Sequence, residues 1–241
     1  MAYLWDQLRA AIPLIGQGNG YVLSVTWVTI KVALVATGCA LVIGLPIGLV
    51  LGLGRFRGRR ALQILANASL ALPPVLVGVG VLILLVPNSV FGGLRIEFTL
   101  TAVYVAQTVL ALPYIVALSS AAIRALPPGL LAQASALGAG RTQVAVLALR
   151  EARIGVLAAV IAALASTLSE VAAVIIVGGN IEDHTQTLAS AIVSQINDFD
   201  NIPSALAIGI VLLGLIAVLI GTLTVLQQRA GGIQLRLRTS V

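Results

Sequence analysis

Long apolar runs, separated by short polar segments, dominate the chain. A bilayer core about 30 Å thick is crossed by a helix of about 20 mainly apolar residues. Five runs reach that length, and they are residues 32–53, 61–86, 100–122, 154–177 and 204–226. The pattern therefore predicts an all-α membrane protein, with five transmembrane helices in one domain that covers residues 21–226.

Prolines lie inside some of these runs, among them Pro73, Pro74 and Pro113. Transmembrane helices tolerate proline because neighbouring groups satisfy the carbonyls that proline leaves without a donor. Proline still bends a helix, so we predict kinks at these positions. Such a kink is either a static feature of the fold or part of a gate.

Apolar residues also recur at helical spacing before the first run, at Leu4, Leu8 and Ile12. Asp6 precedes every basic residue and Pro13 interrupts the apolar stretch, so the pattern is not that of a signal peptide. We therefore predict that residues 1–20 form an N-terminal amphipathic segment whose helix lies at the membrane interface.

Composition supports the membrane assignment, because 59% of the residues are hydrophobic and 9% are charged, with a mean hydropathy of +1.10. A single cysteine, Cys39, excludes an internal disulfide and a cysteine-based zinc site. A single histidine, His184, argues against a histidine metal site. The sequence has no Gly-x-x-x-x-Gly-Lys-Ser/Thr loop for nucleotide phosphates, so we expect no ATPase activity from this chain.

The basic residues predict the orientation of the bundle. One side of the five-span topology receives Arg55, Arg57, Arg59, Arg60, Arg124, Arg141, Arg150, Arg153, Arg229, Arg236 and Arg238. Cytoplasmic loops are rich in Lys and Arg, so this side is cytoplasmic, the N-terminus is outside, and the tail 227–241 is inside. The net charge of +6 thus reflects topology, and we predict no nucleic-acid partner. Residues 55–60 either anchor this topology or bind anionic lipid headgroups.

The cytoplasmic loop 127–153 is a mixed polar and apolar segment between two long apolar runs. Pro127-Pro128 can begin a helix, and glycines 138 and 140 predict a break after it. A second helix is predicted from near Thr142 into the fourth span. One face of the first helix carries Leu130, Ala134 and Leu137. Such a loop either docks into a groove on another protein or only connects two spans.

Glycines at 44, 48 and 52 form a ridge of small residues along the first span. Ridges of this kind allow helices to approach closely. The ridge can pack within one subunit or between two subunits, and we favour packing within the subunit.

The loop resembles the EAA loop of ABC-importer permeases, through Ala132-Gln133-Ala134 and the later Gly138. It departs from that pattern because Ala132 replaces the glutamate and Arg150-Glu151 stands where Leu-Pro is usual. Residues 70–85, 101–118, 149–181 and 187–192 resemble the permeases of tungstate-type oxyanion importers, with molybdate permeases as close relatives. The stretch SEVAAVIIVGGNI, residues 169–181, is the most specific part of this resemblance.

The resemblance implies a type I ABC-importer permease fold in a prokaryotic inner membrane. It implies a homodimeric pore, two cytoplasmic ATPase subunits that carry ATP and Mg, and an external binding protein that delivers tungstate. Molybdate and sulfate are the alternative substrates. The chain itself would be a transport subunit with no catalytic residue, metal or cofactor. The residues expected to contact the ATPase are Ala132, Gln133, Ala134, Leu137, Gly138 and Arg141.

An anion pathway is expected to use neutral donors, because several buried arginines would hold the anion too tightly for passage. Candidates for the pathway or its gate are Asn67, Ser69, Pro73, Pro74, Gln107, Ser166, Ser169 and Glu170. Each polar side chain can instead bond a neighbouring helix. Glu170 is the one carboxylate well inside a span, and its charge would repel an anion. We therefore expect it to bond nearby backbone or Ser166, with direct lining of the pathway as the alternative.

A second class of function also fits a membrane protein, namely a self-sufficient secondary carrier or a membrane-embedded enzyme. An enzyme would need a nucleophile–base pair or a metal cluster in the spans, and the sequence shows neither. A secondary carrier often has inverted repeats and coupling carboxylates. Five spans do not divide into two equal halves, so the sequence favours the importer subunit.

Overall fold

The computed structural model describes residues 2–16, 20–197 and 201–238, and within these ranges every regular element is helical, which confirms the predicted class. Residues 1, 17–19 and 239–241 of the predicted N-terminal segment and tail lie outside the described residues. The helices are α1 (Ala2–Gly16), α2 (Gly20–Leu53), α3 (Arg59–Ala68), α4 (Pro74–Leu85), α5 (Leu100–Arg124), α6 (Pro128–Ala136), α7 (Arg141–Glu151), α8 (Arg153–Ser169), α9 (Ala172–Gly178), α10 (Leu188–Asn197) and α11 (Ile202–Arg238). Single 3₁₀ turns lie at Ser69–Ala71 and Gly92–Leu94.

Helices α2, α5 and the Ile202–Arg229 part of α11 are each long and apolar enough to cross a membrane. Two further spans exist if each of two bent helix pairs counts as one, namely α3 with α4 and α8 with α9. The described residues therefore hold three candidate spans, or five if each bent pair is one span, and the five predicted spans stay a prediction. The shorter apolar helix α10 was not predicted from the sequence.

The chain forms two compact units. The first contains Met1–Ala36, Pro73–Leu110 and Ala165–Leu219, and the second contains Thr37–Leu72, Ala111–Leu164 and Ile220–Val241. Helices α2, α5, α8 and α11 each contribute to both units.

In the first unit, α4 and α9 pack closely against each other. A β-carbon placed on Gly78 of α4 would lie 2.9 Å from the Cα of Ala173 in α9, so the two backbones meet where neither side chain is large. Val81, Val103 and Val177 belong to the buried cluster that joins these helices to α2 and α5. A second buried cluster joins the start of α2 to α10 and α11.

In the second unit, the glycine ridge of α2 lies against α5. Added β-carbons at Gly44 and Gly52 would lie 3.0 Å from Ile115 and 2.7 Å from Ile123, and one at Gly48 would overlap the hydroxyl of Ser119. The favoured packing within the subunit is therefore confirmed.

The predicted prolines behave differently from one another. The helical backbone is broken between the 3₁₀ turn Ser69–Ala71 and α4, because Leu72 and Pro73 are both extended, with ψ of 127° and 122°. Pro74 then starts α4. Proline suits this first position, since its missing N–H would have no partner there. By contrast, α5 continues without interruption through Pro113. The kink predicted at Pro73-Pro74 is thus a full break of the helix.

A second break, which we did not predict, divides the fourth apolar run. The sequence indicates one helix over residues 154–177, but α8 ends at Ser169 and α9 begins at Ala172, with a bend of 63°. The Ser169 hydroxyl lies 3.0 Å from the Ala165 carbonyl oxygen and 3.2 Å from that of Ser166. Serine side chains that bond the backbone in this way can compete with regular helix, and this bond lies at the end of α8.

Candidate coupling loop and pathway residues

Helices α6 and α7 form a helical hairpin in the second unit, joined by a tight turn. Gly138 has a φ of 89°, and its N–H donates to the Ser135 carbonyl at 3.1 Å. The Ala139 N–H donates to the Ala134 carbonyl at 3.0 Å. These two bonds and the left-handed glycine form a Schellman C-cap, which ends α6 and fixes the direction of the chain after it.

The second predicted glycine has a different role. Gly140 has a φ of −69° and precedes α7, so it does not use the left-handed conformation that we expected of both glycines. Its N–H donates to the Gln143 side chain at 2.8 Å. This bond satisfies one of the N–H groups that a helix start leaves free. The turn is therefore fixed from both helices.

Leu137 is the most exposed large apolar side chain in the described structure, at 89% exposure, and it lies on this turn. We expected Leu137 to share an apolar face with Leu130 and Ala134, which are both partly buried. Leu137 is the C-cap of α6, and its N–H still bonds the Gln133 carbonyl at 3.0 Å, before the chain turns at Gly138. Leu131 instead packs against the buried cluster that fixes the hairpin to its unit.

The other candidate coupling residues surround Leu137. Ala132, Gln133 and Arg141 are exposed, and Ala134 is partly buried. Beside Arg141, a cavity of about 330 Å³ runs along α7, and it is lined by Thr142, Gln143, Val146, Leu147 and Arg150. Sequence reasoning missed these lining residues. Their spacing of three and four along one helix is the signal that identifies them.

Glu170 lies at the break before α9, in the first unit. Its Oε1 accepts a hydrogen bond from the Ala173 N–H at 3.0 Å, in the first turn of α9. The carboxylate therefore bonds nearby backbone, which was the first of our two expectations. A negative group is favourable at this end of a helix because the free N–H groups carry partial positive charge.

The remaining pathway candidates divide between the two units. Pro73, Pro74, Gln107, Ser166, Ser169 and Glu170 belong to the first unit, whereas Asn67 and Ser69 belong to the second. Asn67 is exposed, Ser166 is partly buried, and the Ser69 hydroxyl donates to the Leu65 carbonyl at 2.8 Å. Gln107 is fully buried, and neither of its amide atoms has a hydrogen-bond partner in the described structure.

A polar network near the start of α2 was not predicted from the sequence. The Tyr21 hydroxyl donates to Gln186 Oε1 at 2.7 Å, and the Asn180 amide donates to the Ser194 hydroxyl at 2.6 Å. The Thr29 hydroxyl oxygen accepts a bond from the Leu188 N–H at 2.8 Å. The Thr29 bond attaches α10 to α2, and the Asn180 bond attaches α10 to the segment after α9. Asn180 also has a positive φ of 50°, which asparagine tolerates better than most residues.

Known proteins resemble this chain over most of its length. It is 36% identical over 201 residues to a probable anion ABC transporter permease protein of Haloferax volcanii, covering 81% of this chain and 86% of the relative. It is 30% identical over 213 residues to a tungstate uptake system permease protein of Peptoclostridium acidaminophilum, covering 88% of this chain and 93% of the relative.

The fold is also that of a solved importer. A structure described as an inward-facing conformation of the MetNI methionine ABC transporter aligns with a TM-score of 0.65 at 20% identity, covering 87% of this chain and 94% of the other. The type I permease fold is thereby confirmed. The two permease relatives do not support the alternative of a self-sufficient secondary carrier. Residues 44–232 match the model of one transport family. The chain belongs to that family, the inner membrane components of binding-protein-dependent transport systems.

Proposed function

We propose that this permease moves an oxyanion, with tungstate first and molybdate or sulfate as alternatives, from an external binding protein to the cytoplasm. Two similarities support the substrate class, namely 36% identity to a probable anion permease and 30% identity to a tungstate permease. The second of these carries the proposal, because the similarity covers 88% of this chain and 93% of the relative.

The hairpin of α6 and α7 supplies the coupling to ATP. Leu137 projects from a turn that hydrogen bonds fix on both sides, so it can enter a pocket on an ATPase without reordering the chain. A preorganised contact avoids the entropy cost of ordering a loop on binding. Gln133 and Arg141 would provide polar contacts around the leucine. ATP and Mg would be bound by the ATPase subunit.

The assembly would be a homodimer with two ATPases and one external binding protein. Each chain carries one hairpin, and a twofold axis presents one hairpin to each of two ATPases. The many arginines on one side of the spans support an orientation with the N-terminus outside and the C-terminus in the cytoplasm.

The pathway would run beside the helix breaks. The chain has broken helices before Pro74 and after Ser169, and broken helices in transporters place backbone and helix ends near the substrate. Glu170 bonds Ala173 at this position, so its carboxylate would hold the start of α9 rather than bind the anion. The anion would then meet neutral hydroxyl and amide donors, which bind weakly enough for release.

Oxyanion-dependent ATP hydrolysis tests the proposal directly. The complex of this chain, its ATPase and its binding protein, reconstituted in liposomes, should hydrolyse ATP faster when tungstate is added. We expect half-maximal stimulation by tungstate at a concentration at least tenfold below that for molybdate, sulfate or phosphate, which a titration of each anion measures. Stimulation by sulfate or phosphate at the lowest concentration would contradict the tungstate assignment, and no stimulation by any of the four would contradict the oxyanion class.

Replacing Glu170 distinguishes its two possible roles. Glu170→Gln retains an oxygen that can accept from Ala173, so transport and the thermal midpoint of the complex should stay close to wild type. Glu170→Ala removes the acceptor, and loss of such a cap costs about 0.5–2 kcal/mol. We therefore expect a lower midpoint and slower uptake for Glu170→Ala. A stable Glu170→Gln complex without uptake would show that the charge itself is needed.

A further inference from the structure

Three arginines are exposed at this point of the chain, two on the turn between α2 and α3 and one in the first turn of α3, and their side chains have no partner in the described part of the chain. These are Arg55, Arg57 and Arg60, which form no hydrogen bond or salt bridge there. The turn directly follows α2, a helix long enough to cross a membrane. The end of a spanning helix is where lipid headgroups are expected, so a membrane surface is a natural partner for these guanidinium groups.

The fourth arginine of this segment, Arg59, bonds the end of α2. Arg59 donates from Nε to the Leu51 carbonyl at 2.9 Å and from its terminal nitrogen to the Gly52 carbonyl at 3.0 Å. Gln63 donates a second bond to the Leu51 carbonyl, at 3.0 Å. These bonds satisfy carbonyls at the end of α2 that have no partner within the helix. The bonds of Arg59 and Gln63 also hold the turn in place, so the turn does not need the side chains of the three free arginines.

Helix α3 presents an apolar surface next to the arginines. It has ten residues, none of them buried, and its length of about 15 Å is too short to cross a bilayer alone. Leu62, Ile64 and Leu65 are 47%, 62% and 62% exposed. A short helix with basic residues at one end and an open apolar face is typical of a segment at the membrane interface.

We propose that Arg55, Arg57 and Arg60, together with the apolar face of α3, bind the headgroup and upper acyl chains of an anionic phospholipid. The charge around the turn favours an anion, because the sequence has no acidic residue between Asp6 and Glu97. Guanidinium groups bind phosphate oxygens through paired N–H donors. The apolar face of α3 selects a lipid over a free phosphate ion.

Phosphatidylglycerol titration tests this site. The detergent-purified permease should gain thermal stability as dioleoyl phosphatidylglycerol is added, and phosphatidylcholine or inorganic phosphate should give no comparable gain. The variant Arg55→Gln/Arg57→Gln/Arg60→Gln should need at least tenfold more phosphatidylglycerol for the same gain, since each arginine near an anionic surface contributes about fivefold. Native mass spectrometry should show fewer retained phosphatidylglycerol molecules on this variant.

A control variant that loses the same charge elsewhere distinguishes a specific lipid site from general electrostatic attraction to anionic lipid. Arg150, Arg153 and Arg229 are also exposed, so Arg150→Gln/Arg153→Gln/Arg229→Gln removes the same charge elsewhere. This control should keep the wild-type titration. Equal weakening of both variants, an unchanged titration of the first variant, or an equal gain with inorganic phosphate would each overturn the proposal. Loss of ATPase assembly in the first variant, with lipid binding intact, would instead assign the arginines to a protein contact.

Discussion

Leu137→Asp should leave the permease folded and prevent it from binding its ATPase. The wild-type side chain is 89% exposed, so aspartate creates no cavity and buries no charge in the free chain. In the complex the carboxylate would occupy an apolar pocket, where an unpaired charge is costly. Removing a central contact of this kind costs about 2 kcal/mol or more, which weakens binding at least ~30-fold. Titration of the ATPase onto the permease in nanodiscs measures the change.

Leu137→Met is the matched control, because it keeps an apolar side chain of similar volume at the same position. Binding of the ATPase by this variant should remain within a few-fold of wild type. Both variants should share the wild-type thermal midpoint when no ATPase is present. Full ATPase binding by Leu137→Asp would show that the hairpin turn does not enter the ATPase, and the loop would then be a connector.

The length of an apolar run was sufficient to predict long apolar helices, because lipid imposes a strong constraint on them. About 20 apolar residues must be continuous, and the runs around residues 100–122 and 204–226 coincide with α5 and α11. The ridge at Gly44, Gly48 and Gly52 could also be predicted from the sequence, since close helix packing needs small residues at regular spacing. The hairpin followed from Pro128 and Gly138, whose backbone preferences are strong.

The helix breaks and the details of the candidate site were harder to predict from the sequence. A proline marks the break before α4, but the break after Ser169 depends on how one serine and one glutamate bond the backbone. A serine elsewhere in a span leaves the helix intact, as at Ser119, whose hydroxyl bonds the Ile115 carbonyl within α5. The exposure of Leu137 likewise follows from its position at the end of α6, and the apolar periodicity of a sequence does not determine where a helix ends.

Gly48→Ala should lower the thermal midpoint of the permease, and Ser119 determines by how much. The added methyl group would overlap the Ser119 hydroxyl and lie 3.2 Å from the Val116 carbonyl oxygen. Ser119 does not turn away freely, because its hydroxyl donates to the Ile115 carbonyl at 2.5 Å. Overpacking of this kind costs about 1–3 kcal/mol, which corresponds to roughly 2–12 °C for a chain of this size.

A double-mutant cycle isolates the contact between α2 and α5. In Gly48→Ala/Ser119→Ala the overlapping oxygen is absent, so the midpoint should recover toward that of Ser119→Ala alone. Gly38→Ala is the control on the same helix, since an added β-carbon there meets no described atom within 4 Å. It should be neutral or stabilising, because alanine favours helix over glycine by about 1 kcal/mol. Equal midpoints for Gly48→Ala and Gly38→Ala would contradict the close packing, and would leave the glycine ridge free to contact a second subunit.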